Sequence, residues 1–216
     1  QLLFGQWIEG LVTRLPFALD LHQLPVKLNG NFEIIGLLIG SVILVGVGVL
    51  DDRFQLRGRQ KIVGQVIAVT TLIVFGYHFS EVTVVGITFE FGLFSVFFVY
   101  AWVLAAINSV NLLDGADGMA GTVGVVMSLA LCVMAIYGGY WQTALISVSM
   151  AGALIGFLRF NFPPAKVYLG DAGSMLIGFV LSALAIRCAF KQNSMLAFFA
   201  PLALLAIPFI DTAAAI

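Results

Sequence analysis

The chain has 216 residues, of which 61% are hydrophobic and only 10% charged, with a mean hydropathy of +1.08; an ordinary soluble domain is about half apolar and a quarter charged. That composition excludes a soluble globular fold, and a net charge of -1 excludes the broad basic field by which proteins attract nucleic acid. Cys132 and Cys188 lie inside apolar runs with no CxxC or Cys/His spacing, which leaves them as small core residues and excludes a thiolate metal centre.

In chain order, residues 1–32 read as the remains of a span or an interfacial helix with Trp7 near the headgroups, followed by an exposed loop, "DLHQLPVKLNGN". Seven candidate spans follow at about 33–50, 62–79, 93–110, 119–138, 141–158, 172–190 and 195–212. Spanning hydrocarbon takes about 20 apolar residues as a helix; a membrane barrel would show short alternating segments, and these runs are continuously apolar. The expected fold class is therefore all-α, a polytopic membrane helix bundle with about seven transmembrane helices. The chain starts at Gln1 with no signal peptide in view and stops in mid-pattern at "PFIDTAAAI", so the expectation is one integral membrane domain over residues 1–216, truncated at both ends.

Lys and Arg favour the cytoplasmic side of a membrane protein. Arg53, Arg57, Arg59 and Lys61 follow the first span, and Arg159 and Lys166 follow the fifth. If spans alternate, both loops share a side, and the odd-numbered spans end in the cytoplasm. The opposite side holds Glu81, Glu90 and Lys191, with Arg187 expected to snorkel outward. With that assignment, six of the seven Asp share the cytoplasmic end: Asp51, Asp52, Asp114, Asp117, Asp171 and Asp211. One acidic site assembled from four segments is the economical reading: "GVLDDRFQLRGRQK", "NSVNLLDGADGMAG", "FPPAKVYLGDAGS" and "PFIDT".

Carboxylate and amide oxygens are hard ligands suited to Mg²⁺, with Mn²⁺ as an alternative. Clustered acids are costly without a cation among them. His22 and His78 are the only histidines, which argues against zinc. Acids beside Arg and Lys suit an anionic phosphate substrate, because phosphoryl transfer depends mainly on positioning and charge neutralisation. In "DGADG" and "GDAGS" a glycine adjoins Asp at a helix start, so free backbone N–H groups could face a phosphate. Blander readings compete: Asp211 as a helix cap, Asn108 and Asn111 as links between helices, and Gly36, Gly40, Gly46, Gly48, Gly152 and Gly156 as sites of close packing.

Four stretches in this order, "GVLDDRFQLRGRQKIVGQ", "INSVNLLDGADGMAGTVG", "VYLGDAGSMLIGF" and "PFIDTAAAI", resemble the polyprenyl-phosphate N-acetylhexosamine-1-phosphate transferase family (glycosyltransferase 4). The nearer likeness is to its bacterial undecaprenyl-phosphate GlcNAc-1-phosphate transferases. The resemblance implies an active site at the cytoplasmic face of the bacterial inner membrane. There a GlcNAc-1-phosphate-type group would pass from a UDP-sugar to polyprenyl phosphate with Mg²⁺. It further implies that Asp51 and Asp52 activate or orient the lipid phosphate, with Asp114 as a further catalytic acid. Asn111 and Asp171 would ligate the metal, Lys61 would lie near the phosphates and Asp117 at the uridine end. Asn108, Gly118 and Asp211 complete the expected substrate-binding set. The expected partners are a UDP-sugar, polyprenyl phosphate and the membrane, with no nucleic acid and a homodimer left open. The family's histidine-rich loop, expected beyond the "PFIDT" helix, is not among these 216 residues.

Three alternatives stand beside this one. The phospho-MurNAc-pentapeptide transferase branch shares the motifs. A secondary transporter would use such acids in an ion path, although transporter acids tend towards the bilayer midplane. An intramembrane aspartyl protease would need Gly where Tyr168 stands in "YLGD".

Overall fold

The computed structural model describes residues 31–77, 81–84, 87–90 and 94–190. Among these residues six helices form a bundle: α1 (Asn31–Phe54), α2 (Gly58–Val74), α3 (Phe94–Leu113), α4 (Met119–Tyr137), α5 (Trp141–Asn161) and α6 (Gly170–Phe190). They correspond to the first six expected spans; the seventh, 195–212, lies outside the described residues. Five of the helices, all but α2, are long and apolar enough to cross a membrane. The chain is a multi-pass membrane protein, and its body is the expected helix bundle.

Between α2 and α3, where sequence suggested only a connection, two short strands pair antiparallel, β1 (Glu81–Val84) with β2 (Ile87–Glu90), in the register Glu81↔Glu90 and Val84↔Ile87. The alternation in "EVTVVGITFE" is the signal for such a hairpin.

Helix α6 is the central element. Of its apolar stretch 78% is buried, against 33% to 44% in the other four long helices. It packs chiefly between α1 and α3, while α4 and α5 pair with each other. Small residues permit that approach. A Cβ on Gly178 would come within 2.7 Å of the Ala106 carbonyl oxygen, and one on Gly48 within 2.2 Å of the Ala172 Cα. Hydrogen bonds add stitches: Trp102 Nε1 donates to the Ser182 carbonyl at 3.3 Å, and the Thr70 and Tyr100 hydroxyls meet at 2.8 Å.

The packing expectation for the glycines holds in part. Gly36, Gly40 and Gly48 face Phe75, Phe179 and Ala172 at close range, but Gly46, Gly152 and Gly156 have nothing within 4 Å of a built Cβ. Those three lie on outward faces, which period alone cannot tell from inward ones when both are apolar.

The second span also corrects its expectation. α2 runs from 58 to 74 rather than 62 to 79, because Gly76 at φ +105° ends it. There the Gly76 N–H donates to Ile73 O at 3.1 Å and the Tyr77 N–H to Leu72 O at 2.9 Å, a Schellman closure that only a left-handed residue allows. Gly139, at φ +75°, closes α4 in the same way.

The helices alternate in direction, so one end of the bundle gathers the C-termini of α1, α3 and α5 with the N-termini of α2, α4 and α6. At the opposite end, Arg187 does not snorkel. It is buried, its Nε lies 2.9 Å from Glu33 Oε2, and its Nη2 donates to Gln142 Oε1 at 3.4 Å. α1 and α6 run antiparallel, which brings the two charges together, and a partner inside the bundle replaces the water that snorkelling would reach.

Candidate active site

At the first end, every helix but α4 runs a few residues beyond its apolar stretch, so several polar residues expected in loops sit on helical turns, while Asp114 and Asp117 stay in the α3–α4 connection. Asp51 and Asp52 occupy the last turn of α1, Lys61 the first turn of α2, Asn108 and Asn111 the last turns of α3, and Asp171 the first turn of α6.

Asp51 is buried at 7% exposure. One of its oxygens accepts the Leu56 N–H at 2.8 Å, which fixes the turn where Gln55 takes a positive φ of 50°. The other pairs with the Lys61 ammonium, which also pairs with Asp171 Oδ2. On the far side of Asp171, Asn111 Nδ2 donates to Oδ1 at 3.0 Å and reaches Ser174 Oγ at 2.8 Å. The Ser174 hydroxyl donates in turn to the Gly170 carbonyl at 2.9 Å. Four helices thus contribute to one continuous polar cluster, Asp51–Lys61–Asp171–Asn111–Ser174.

Asp52 points elsewhere. Its carboxylate accepts the Asp171 N–H at 2.9 Å and the Ala172 N–H at 3.4 Å. The N–H groups expected to stay free for a phosphate are therefore taken by a resident carboxylate. The same correction applies at the start of α4, where the Gly118 N–H donates to Asn161 Oδ1 at 3.0 Å. A helix start gathers the nearest anion or acceptor, and in both places the fold supplies one.

Lys61 pairs with two carboxylates, Asp51 and Asp171, a third, Asp52, lies beside Asp171, and the excess negative charge is felt by a fourth. Burial raises the Asp114 carboxyl from 3.8 to about 6, and the charges of Asp171 and Asp52 add to that rise. Such an excess suits a divalent cation. Among the described residues, no three acidic, His or Cys side chains are grouped to cage one. Mg²⁺ is commonly held by one or two protein oxygens with substrate phosphates and waters, and Asp171 with Asn111 fits that donor set.

The remaining expected residues border this cluster. Asn108 sits one turn before Asn111 and exchanges amide hydrogen bonds with Gln65, at 3.0 and 3.3 Å; it forms the link between helices weighed above. Asp117 Oδ2 accepts the Ala165 N–H at 3.0 Å, tying the α3–α4 connection to the α5–α6 connection. Asn161 completes that tie by donating to the Val167 carbonyl at 2.9 Å. Asp211 lies outside the described residues. Sequence reasoning passed over Gln65, Ser174 and Asn161. The first two carried a usable signal, since Gln65 is one turn beyond Lys61 and Ser174 one turn beyond Asp171.

The family model of glycosyl transferase family 4 matches residues 34–189, a stretch that contains every member of the cluster. The chain belongs to glycosyl transferase family 4. Among its relatives in that family is a decaprenyl-phosphate N-acetylglucosaminephosphotransferase of Mycobacterium tuberculosis, 34% identical over 80% of this chain and 47% of the relative. A probable undecaprenyl-phosphate N-acetylglucosaminyl 1-phosphate transferase of Bacillus subtilis is 31% identical over 82% of this chain and 50% of the relative. A phospho-N-acetylmuramoyl-pentapeptide-transferase of Listeria welshimeri is 33% identical over 69% of this chain and 50% of the relative. The chain spans about half the length of these family 4 relatives.

Proposed function

We propose that this chain carries the active site of a UDP-sugar:polyprenyl-phosphate sugar-1-phosphate transferase. It would move a GlcNAc-1-phosphate-type group to undecaprenyl or another polyprenyl phosphate and release UMP, as the first membrane step of cell-envelope polysaccharide synthesis. The observation that carries this reading is the meeting of Asp51, Lys61, Asn111 and Asp171 from four helices at one end of the bundle, in a family whose relatives bear names of that activity.

In the reaction, an oxygen of the lipid phosphate attacks the β-phosphorus of the UDP-sugar. The new P–O bond forms as the bond from that phosphorus to the bridging oxygen breaks, and the bridging oxygen leaves with UMP. A phosphate monoester has its second pKa near ~6, so the nucleophile is already ionised near neutral pH and needs no strong base. Lys61 supplies positive charge beside the transferring group, and Asp51 holds Lys61 in place from its buried side. Asp171 and Asn111 would hold Mg²⁺, or Mn²⁺ in its stead; when bound, the ion neutralises diphosphate charge. Asp117 and Gly118 border the uridine side, with Asp211 as a further substrate contact, while Asn108 acts through its link to Gln65. The basic residues Arg53, Arg57, Arg59, Arg159 and Lys166 at this end favour its placement in the cytoplasm, in a bacterial inner membrane.

The test uses membranes containing the intact protein, undecaprenyl phosphate and labelled UDP-GlcNAc, with Mg²⁺ or with EDTA. Metal-dependent UMP release and label transfer, both lost in Asp171→Asn, are expected. Transfer from UDP-MurNAc-pentapeptide alone would move the chain to the branch of the Listeria relative. Silence with every UDP-sugar would refute the reading.

A further inference from the structure

The two acids that end α1 face different neighbours, and only one of them touches the lysine. Asp51 turns to α2 and Lys61. Asp52 turns to α6, where both of its oxygens are directed at backbone N–H groups, those of Asp171 and Ala172. The first N–H groups of a helix have no partner within it and carry the positive end of its dipole. A carboxylate placed there is a cap, in this case delivered from another helix.

Two glycines make that delivery feasible. Gly48 lies one turn before Asp52, and its missing side chain lets the α1 backbone rest on Ala172; a Cβ there would sit 2.2 Å from the Ala172 Cα and 2.5 Å from its nitrogen. Gly170 takes φ +68°, and a Cβ on it would meet Asp52 Oδ2 at 2.8 Å. A side chain at either position drives the carboxylate and the helix start apart.

We infer that Asp52, seated by Gly48 and Gly170, is a positioning residue: it holds the first turn of α6 and thereby the direction in which Asp171 is presented to Lys61 and Asn111. The inference deepens the transferase reading and rests on it for the reaction, and it gives Asp52 no part in proton transfer.

The cap can be tested without substrate or metal. Hydrogen–deuterium exchange is measured over residues 168–176 of the intact protein in detergent with EDTA. Loss of a cap should speed exchange at the start of α6 by about fivefold to tenfold in Asp52→Ala. Gly48→Ala, which removes no polar atom, should do the same, and Asp52→Asn, which keeps one acceptor oxygen, should fall between. In the transfer assay, losing a group that orients a metal ligand should raise the Mg²⁺ concentration for half-maximal rate by about tenfold or more, in Asp52→Ala and Gly48→Ala alike, with the pH profile of kcat unchanged in shape. Unchanged exchange in both variants would overturn the inference. So would an Asp52→Asn enzyme that loses kcat and its pH profile while its Mg²⁺ requirement stays that of the parent. If the parent protein releases no UMP, the transferase reading fails separately, and the exchange experiment still decides whether Asp52 is the cap.

Discussion

Replacing Lys61 by Met removes one cation from between two carboxylates, and the cost follows from how each is surrounded. Asp171 is 27% exposed and Asp51 only 7%, so Asp51 is the acid left without compensation. Breaking a buried pair by removing one partner costs about 3–5 kcal/mol; Lys61 is itself 26% exposed, which favours the lower figure of about 3 kcal/mol. The prediction turns on a second substitution. Asp51→Asn keeps an oxygen for the Leu56 N–H bond and removes the unpaired charge, so Lys61→Met/Asp51→Asn should be more stable than Lys61→Met by about 2 kcal/mol. Unfolding of purified protein in detergent, followed by circular dichroism without metal or substrate, gives the four corners of the cycle. If the two losses simply add, Asp51 is not held by Lys61, and the ion-paired link from α1 through Lys61 to α6 is wrong.

Three further outcomes are expected. Because the folded-state pKa of Asp114 is raised to about 6, the fold disfavours its charged form: stability falls as pH rises from about 4 through 6 and then levels off. That rise corresponds to about 3 kcal/mol undiscounted and about 1 kcal/mol for a half-buried group. Asp114→Asn in EDTA should therefore gain about that much at pH 8 and match the parent at pH 4 in the same unfolding measurement. Gly178→Ala, whose Cβ would press on the Ala106 carbonyl and the Ile107 Cα at 2.7 Å, should destabilise by about 1–3 kcal/mol, whereas Gly152→Ala on its open face should stay within about 0.5 kcal/mol; equal effects would contradict the packing of α6 on α3. Glu33→Gln should cost about 3 kcal/mol by leaving Arg187 buried without its counter-charge. Glu33→Gln/Arg187→Met should recover most of that loss, and a double variant no better than the single would show that the pair contributes through packing alone.

Apolar run length identified the helices well and their ends poorly, for one physical reason. A hydropathy reading stops at the first polar residue, but Asp51, Asp52, Asn111 and Asp171 stay helical because each finds its partner on a neighbouring helix. Three of the four acidic segments, those within the described residues, were legible as neighbours because alternation of spans puts them at one end whatever the side-chain detail; the fourth, with Asp211, lies outside the described residues. Which acid does what was not legible: Asp51 and Asp52 are adjacent in sequence, and only their roughly 100° separation around α1 sends one to Lys61 and the other to α6. Arg187 was misjudged because its partner, Glu33, lies at the other end of the chain. Gly48 and Gly46 look alike in sequence, and only the position of α6 separates a contact from open space.

The two links between α1 and α6 also act as a ruler. Glu33 binds Arg187 at one end, and Asp52 binds the start of α6 at the other, so the nineteen residue steps from one to the other along α1 cannot gain or lose a turn without breaking one tie. At 1.5 Å per residue that interval is about 28 Å, close to the ~30 Å hydrocarbon thickness of a typical bilayer. A bundle pinned in this way cannot stretch to follow its lipids. In a membrane of longer or shorter acyl chains, the bilayer must deform around it or the bundle must tilt, and the spacing of the charged cluster from the far end of the protein stays constant.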